Sequence, residues 1–153
     1  TMIIRNLFDQ KETQETVDRI NNLTPETQGL WGKMDVAQMM AHCNVAYEIV
    51  YTDKHPKPNA FARFMVKLFA KSVVIGDKPY KKNIPTSPIF KMTEPKDCEV
   101  EKKRLIDYLN KTQELGASHF NGLNNPAFGD LTDTQWNTLF SKHLDHHLRQ
   151  FGE

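Results

Sequence analysis

Two complete helix-start signals constrain this chain more than any other feature. In Met34-Asp35-Val36-Ala37-Gln38-Met39 an aspartate is placed to cap the N–H of Gln38, Gln38 can reach back to it, and Met34 can pack on Met39. The arrangement recurs in Leu131-Thr132-Asp133-Thr134-Gln135-Trp136, with Thr132 as cap and Leu131 placed to staple Trp136. A proline-free run follows each signal, to about Tyr51 and to Phe151. Two long helices are therefore expected, one early in the chain and one at its end.

Both helices carry histidine on the stripe expected to turn inward. Gln38, His42, Val45, Ile49 and Thr52 share one face of the first. On the second, the stripe reads Trp136, Leu139 or Phe140, His143, His147, then Gln150 or Phe151. Apolar side chains give way to imidazoles on one line, which is how a site is cut into a helical core. Two more helices complete the pattern. One covers about Asp9 to Asn22, and another runs from Asp97 or Cys98 to Leu115, with Val100, Leu105, Tyr108, Leu109 and Leu115 as its apolar side and Gly116 as its stop. Thr24-Pro25-Glu26-Thr27 reads as a cap and a short helical turn.

Residues 53–96 hold six prolines, which excludes a long helix across them. One amphipathic island survives from Ala60 to about Val74. Phe61, Phe64, Met65, Leu68 and Phe69 gather on one side and Arg63, Lys67 and Lys71 toward the other, so a lid packed on the helical core is expected. Membrane-surface association is the less favoured reading of the same helix. The net charge of +1 conceals an asymmetry, because residues 54–91 contain nine Lys or Arg against the single acid Asp77 while the rest of the chain is acidic by seven. That pattern points to an anionic ligand, surface or partner, or to lysines that only keep an insertion soluble. No stacking motif or recognition helix accompanies the lysines, so nucleic acid is not expected.

At 153 residues the chain suits one domain spanning 1–153, without internal repeats. No apolar run reaches a membrane-spanning length, and Cys43 and Cys98 form no metal-ligand pair, so a reducing cytoplasm is the expected setting. Cys43 reads as a small core residue, and His55 and His119 as surface residues in loops.

His143 and His147 project from adjacent turns of one face and can grip one metal, and His42 is the third candidate. Spacing alone leaves metal ligands and satisfied core histidines as open alternatives. His146 lies about 100° around the helix from His147 and replaces it only if the helix is rotated. Leu144 stands where the helical metalloproteases carry their general base, so that signature is missing. Gln38, one turn before His42, and Gln150, about one turn after His147, are the candidates for orienting a bound ligand or water.

The run Trp31 to Cys43, the loop Asn125-Pro126-Ala127-Phe128-Gly129-Asp130-Leu131-Thr132 and the stretch Trp136 to Gly152 resemble a branch of the DinB-like superfamily, related to the YfiT-like metal-dependent hydrolases and the thiol transferases. The resemblance spans nearly the whole chain except residues 53–96. It implies an all-α four-helix bundle of up-down-down-up connectivity, here with an irregular insertion carrying a short amphipathic helix. It further implies a divalent metal, zinc or nickel, on His42, His143 and His147, which also favours His147 over His146. The implied activity is S-transfer from a low-molecular-weight thiol, or hydrolysis, on a small-molecule substrate, with a homodimer as the implied assembly. A non-catalytic bundle binding metal or a small anion is the alternative.

Overall fold

Asp9, Asp35, Asn59, Asp97 and Thr132 each precede a helix, and each accepts a hydrogen bond from the backbone N–H three residues on. These caps satisfy N–H groups that the helix cannot pair internally, so they fix where the elements begin. A computed structural model describes residues 2–153. The order is α1 (Gln10–Asn21), α2 (Val36–Tyr51), α3 (Ala60–Phe69), α4 (Lys71–Ile75), a 3₁₀ turn (Pro88–Phe90), α5 (Cys98–Phe120), a two-residue antiparallel ladder of β1 (Asn124–Asn125) and β2 (Gly129–Asp130), and α6 (Asp133–Gln150). The protein is thus all-α apart from that ladder. Both expected capping boxes are formed, at α2 and α6.

The core gathers Ile20 from α1, Met39 and Met40 from α2, Leu105 and Leu109 from α5, and Trp136, Phe140 and Leu148 from α6, all essentially solvent-free. Tyr47 stacks between Phe140 (4.6 Å) and Tyr108 (5.6 Å), joining α2 to both neighbours. Each such side chain contributes about 1.5–3 kcal/mol through burial. Helix α2 packs on α5, α6 and the 3₁₀ turn, and is buried on every face from Met39 to Glu48. The single inward stripe expected from its sequence is therefore too narrow, because neighbours surround the helix.

An extended segment at the start of the chain runs along α6. The N–H groups of Ile3, Arg5 and Leu7 donate to Asp145, Ser141 and Asn137, and Asn137 returns a bond to the carbonyl of Arg5. The match is geometric: two extended residues advance about 6.6 Å, and four helical residues about 6.0 Å. Asp145 also pairs with Arg19 (3.0 Å) and Arg149 (2.9 Å), which ties α1 to α6.

Several elements differ from the sequence reading. Thr24–Thr27 form a turn closed by Thr27 N–H on the Thr24 carbonyl, not a helical turn. Gly116 leaves helical geometry at φ 78°, as a stop should, yet one further turn follows and carries His119 out of the expected loop. Val100, expected on the apolar side of α5, is 53% exposed near the start of that helix. The amphipathic island breaks at Ala70 into α3 and α4. It packs through Val66, Ala70, Val74 and Ile75, and the expected inward residues Phe61, Phe64, Leu68 and Phe69 face solvent.

Candidate metal centre

The geometry of the histidines follows from the positions of α2 and α6. His42 and His147 are buried and His143 is half-buried, and one ring nitrogen from each lies within 4.8 Å of the other two. The Nε2 atoms of His42 and His143 are 2.9 Å apart. The His147 ring stands edge-on to both, at centroid distances of 4.5 and 4.8 Å.

Two of the three tautomers are fixed by their partners. The Nδ1–H of His42 donates to the carbonyl of Phe90 (2.8 Å), which leaves Nε2 with a lone pair. The Nδ1–H of His147 donates to Oε1 of Gln150 (2.7 Å). The Gln150 amide cannot be reversed, because its NH₂ donates to the carbonyl of Trp31 (2.9 Å). His147 therefore also turns a bare Nε2 toward the cluster. Among the described residues Nδ1 of His143 has no protein partner, so its Nε2–H is free to donate to Nε2 of His42 and can transfer to Nδ1 when Nε2 is needed as a ligand.

Burial chiefly, and then the neighbouring imidazoles, hold His143 well below the usual histidine range. Desolvation brings His147 down to about 3, and His42 is lowered by burial against the opposing bond to Phe90. Three neutral imidazoles are the form that ligates a borderline-soft divalent ion. A metal–imidazole bond of ~2.0–2.1 Å places tetrahedral ligand nitrogens about 3.3 Å apart. The 2.9 Å contact and the 4.8 Å limit bracket that spacing. The donor set fits such an ion.

A cover closes over the cluster. Phe90 meets the rings of His42 and His143 edge-on, and Tyr80 does the same to His143 and His146. His146 is held between Trp31 (5.6 Å) and Tyr80 (5.5 Å) and stands outside the group of three. Lys142, almost fully buried, donates to the carbonyls of Val73 and Gly76 (3.0 Å) and lies over the Tyr80 ring at 4.6 Å. Burial lowers its pKa, and nearby Asp77 opposes the shift.

Gln38 belongs to the start of α2. Its Oε1 accepts from Asp35 N–H and its NH₂ donates to the carbonyl of Glu94, so its amide is committed to backbone at both ends. Cys43 is buried beside Met39, and desolvation raises its thiol pKa far above neutrality. His55, expected on the surface, is half-buried 3.4 Å from Glu48, whereas His119 is exposed. Glu48 is itself buried. Desolvation raises its pKa, but Lys54 and Arg104 (2.9 Å) outweigh that effect and hold the carboxyl below its ordinary value.

The sequence reading missed the roles of Trp31, Gly32 and Phe90. Gly32 sits at φ 83°, and a Cβ there would lie 2.5 Å from the Gln150 amide nitrogen. The glycine thus answers both a left-handed backbone and a close approach. Its place in Trp31-Gly32, just before a capping box, was the available signal.

Fold and site together define a mostly helical protein with a buried three-histidine cluster able to hold a metal ion. The chain belongs to the family described as "Protein of unknown function (DUF1569)", whose family model matches residues 3–153. No curated protein and no solved structure matches it.

Proposed function

We propose that this chain is a single-domain, DinB-like four-helix bundle of up-down-down-up connectivity that binds one divalent metal, zinc or nickel, through His42, His143 and His147. The observation that carries the reading is the convergence of three neutral imidazoles, two with their tautomers set by Phe90 and Gln150. Gln150 acts as a positioning residue, and Gln38 serves the helix start. A bound metal with an open position would supply Lewis acidity, or would hold a thiol as thiolate. The chain's own contribution is to keep the imidazoles neutral, fix their orientation and restrict water beneath Tyr80 and Phe90.

The two buried carboxylates of the helices that carry the histidines are committed elsewhere, which favours S-transfer from a low-molecular-weight thiol over hydrolysis. Glu48 is engaged with Lys54 and Arg104, and Asp145 with Arg19 and Arg149, so neither is free as a general base. A thiolate nucleophile needs no such base at the moment of attack. The same observation keeps a second reading in view, a non-catalytic bundle that holds metal for stability.

Metal content of protein purified without chelator or affinity metal, measured beside the triple variant His42→Ala, His143→Ala, His147→Ala, is the first test. About one metal per chain, lost in the variant, is expected. No metal, and no uptake of offered zinc or nickel, overturns the proposal. Metal removal then separates the two readings. Loss of turnover with the fold retained supports an enzyme, and loss of stability without any turnover supports a structural metal.

A further inference from the structure

Six of the ten large hydrophobic side chains exposed on the described surface fall between residues 61 and 84. Four belong to α3: Phe61 is 74% exposed, Phe64 61%, Leu68 59% and Phe69 66%. A helix docked as a lid should bury such residues. Here the helix instead packs on the core through Val66 and, beyond its end, Ala70. At about 100° per residue, Phe64, Leu68 and Phe61 form one continuous outward arc of α3, with Lys67 and Arg63 following along its edge, and Lys71 stands just beyond the break, at the start of α4. None of these three cations has an ion-pair partner among the described residues. The surrounding segment 54–91 carries nine basic residues and one acid.

We infer that α3 is a docking surface for an anionic phospholipid bilayer. The helix lies in the interfacial plane, with its aromatic and leucine side chains at the acyl boundary and Arg63, Lys67 and Lys71 among the lipid phosphates. The charge pattern selects this occupant. A second copy bound about a twofold axis would bring the same unpaired cations together, and their repulsion opposes it. A bilayer surface presents many phosphates to one basic edge and accepts three or four apolar side chains without needing a matching groove. No helix among the described residues is long and apolar enough to cross a membrane, so the association is peripheral.

The test is flotation of the full chain with vesicles of phosphatidylcholine alone and of phosphatidylcholine with phosphatidylserine. The parent is expected to float with the anionic vesicles only, and to be released at high salt as the Debye length shrinks. Neutralising the edge with Arg63→Gln, Lys67→Gln and Lys71→Gln should weaken binding about 100-fold, at roughly fivefold per cation. Phe61→Ser and Leu68→Ser should each weaken it about tenfold or more. Four of the five positions are exposed and Lys71 is half-buried, so unchanged thermal unfolding is expected and distinguishes lost docking from lost fold. Failure of the parent to float with anionic vesicles overturns the inference, as does equal flotation of the serine variants. Concentration-dependent self-association abolished by Phe61→Ser, without vesicle binding, assigns the face to a second copy and overturns it as well.

Discussion

Replacing Gln150 by leucine tests whether the orientation of His147, and not merely its presence, makes the metal centre. The leucine removes the oxygen that accepts the Nδ1–H of His147 at 2.7 Å and the amide that holds the Trp31 carbonyl at 2.9 Å. The imidazole is then free to rotate or to carry its proton on Nε2, where the lone pair is required. Partners of this kind are worth about 10–100-fold in metal affinity, roughly 1.4–2.8 kcal/mol. Competition titration of the metal-free chain against a chromophoric zinc chelator reads that change directly. Gln150→Glu restores an acceptor for His147 and should recover most of the loss, which separates the hydrogen bond from packing. Gly32→Ala attacks the same relay from the other side, since its Cβ would lie 2.5 Å from the Gln150 nitrogen at a φ of 83°. It should weaken zinc in the same direction, with about 1–2 kcal/mol of backbone strain added to the stability loss. If Gln150→Leu binds zinc within twofold of the parent while His147→Ala does not bind it, the relay is incidental and the reasoning fails.

The metal-free chain should lose stability in mild acid. An unfolded histidine takes a proton near 6.5 and folded His147 only near 3, so the unfolded state binds more protons between those values and stability falls as pH drops. From pH 7 to 5 this residue alone accounts for about 2 kcal/mol. Urea midpoints across that range check it, and a flat profile for the parent, or an equal slope in His147→Phe, counts against it. Asp145→Ala strips the partner from Arg19, Arg149 and the Ile3 N–H and should cost about 3 kcal/mol in chemical denaturation. A loss below about 1 kcal/mol would show that water replaces the carboxylate. Lys142→Met removes the donor to the Val73 and Gly76 carbonyls, so limited proteolysis should cut within residues 53–96 faster while the core helices stay protected. Unchanged cleavage there would mean that α4 is held by its apolar contacts alone.

What the sequence disclosed was local or periodic. Asp35 and Thr132 act on backbone groups three residues away, so both helix starts were readable without knowledge of the fold. The convergence of His42, His143 and His147 was readable because all three share a phase with apolar neighbours. The amphipathic phase of residues 60–74 was also readable, but the direction it faces depends on competition among surfaces. The core accepted Val66 and Ala70, and the phenylalanines remained outside. The parts that complete the centre come from loops: the Phe90 carbonyl from the insertion, and Trp31 and Gly32 from the segment before α2. No local propensity brings these to a histidine.

Helix α6 shows how the distant and the periodic features depend on each other. Asn137, Ser141 and Asp145 recur every fourth residue and hold the extended N-terminal segment. His143 and His147 recur at the same interval, but two residues out of step with Ser141 and Asp145, which places them about 160–200° around the helix. A rotation of α6 that turned the histidines away from His42 would therefore also pull Ser141 and Asp145 off the backbone of Arg5 and Ile3. The N-terminal segment makes no contact with a ligand nitrogen, yet it fixes the rotation on which the three-imidazole geometry depends.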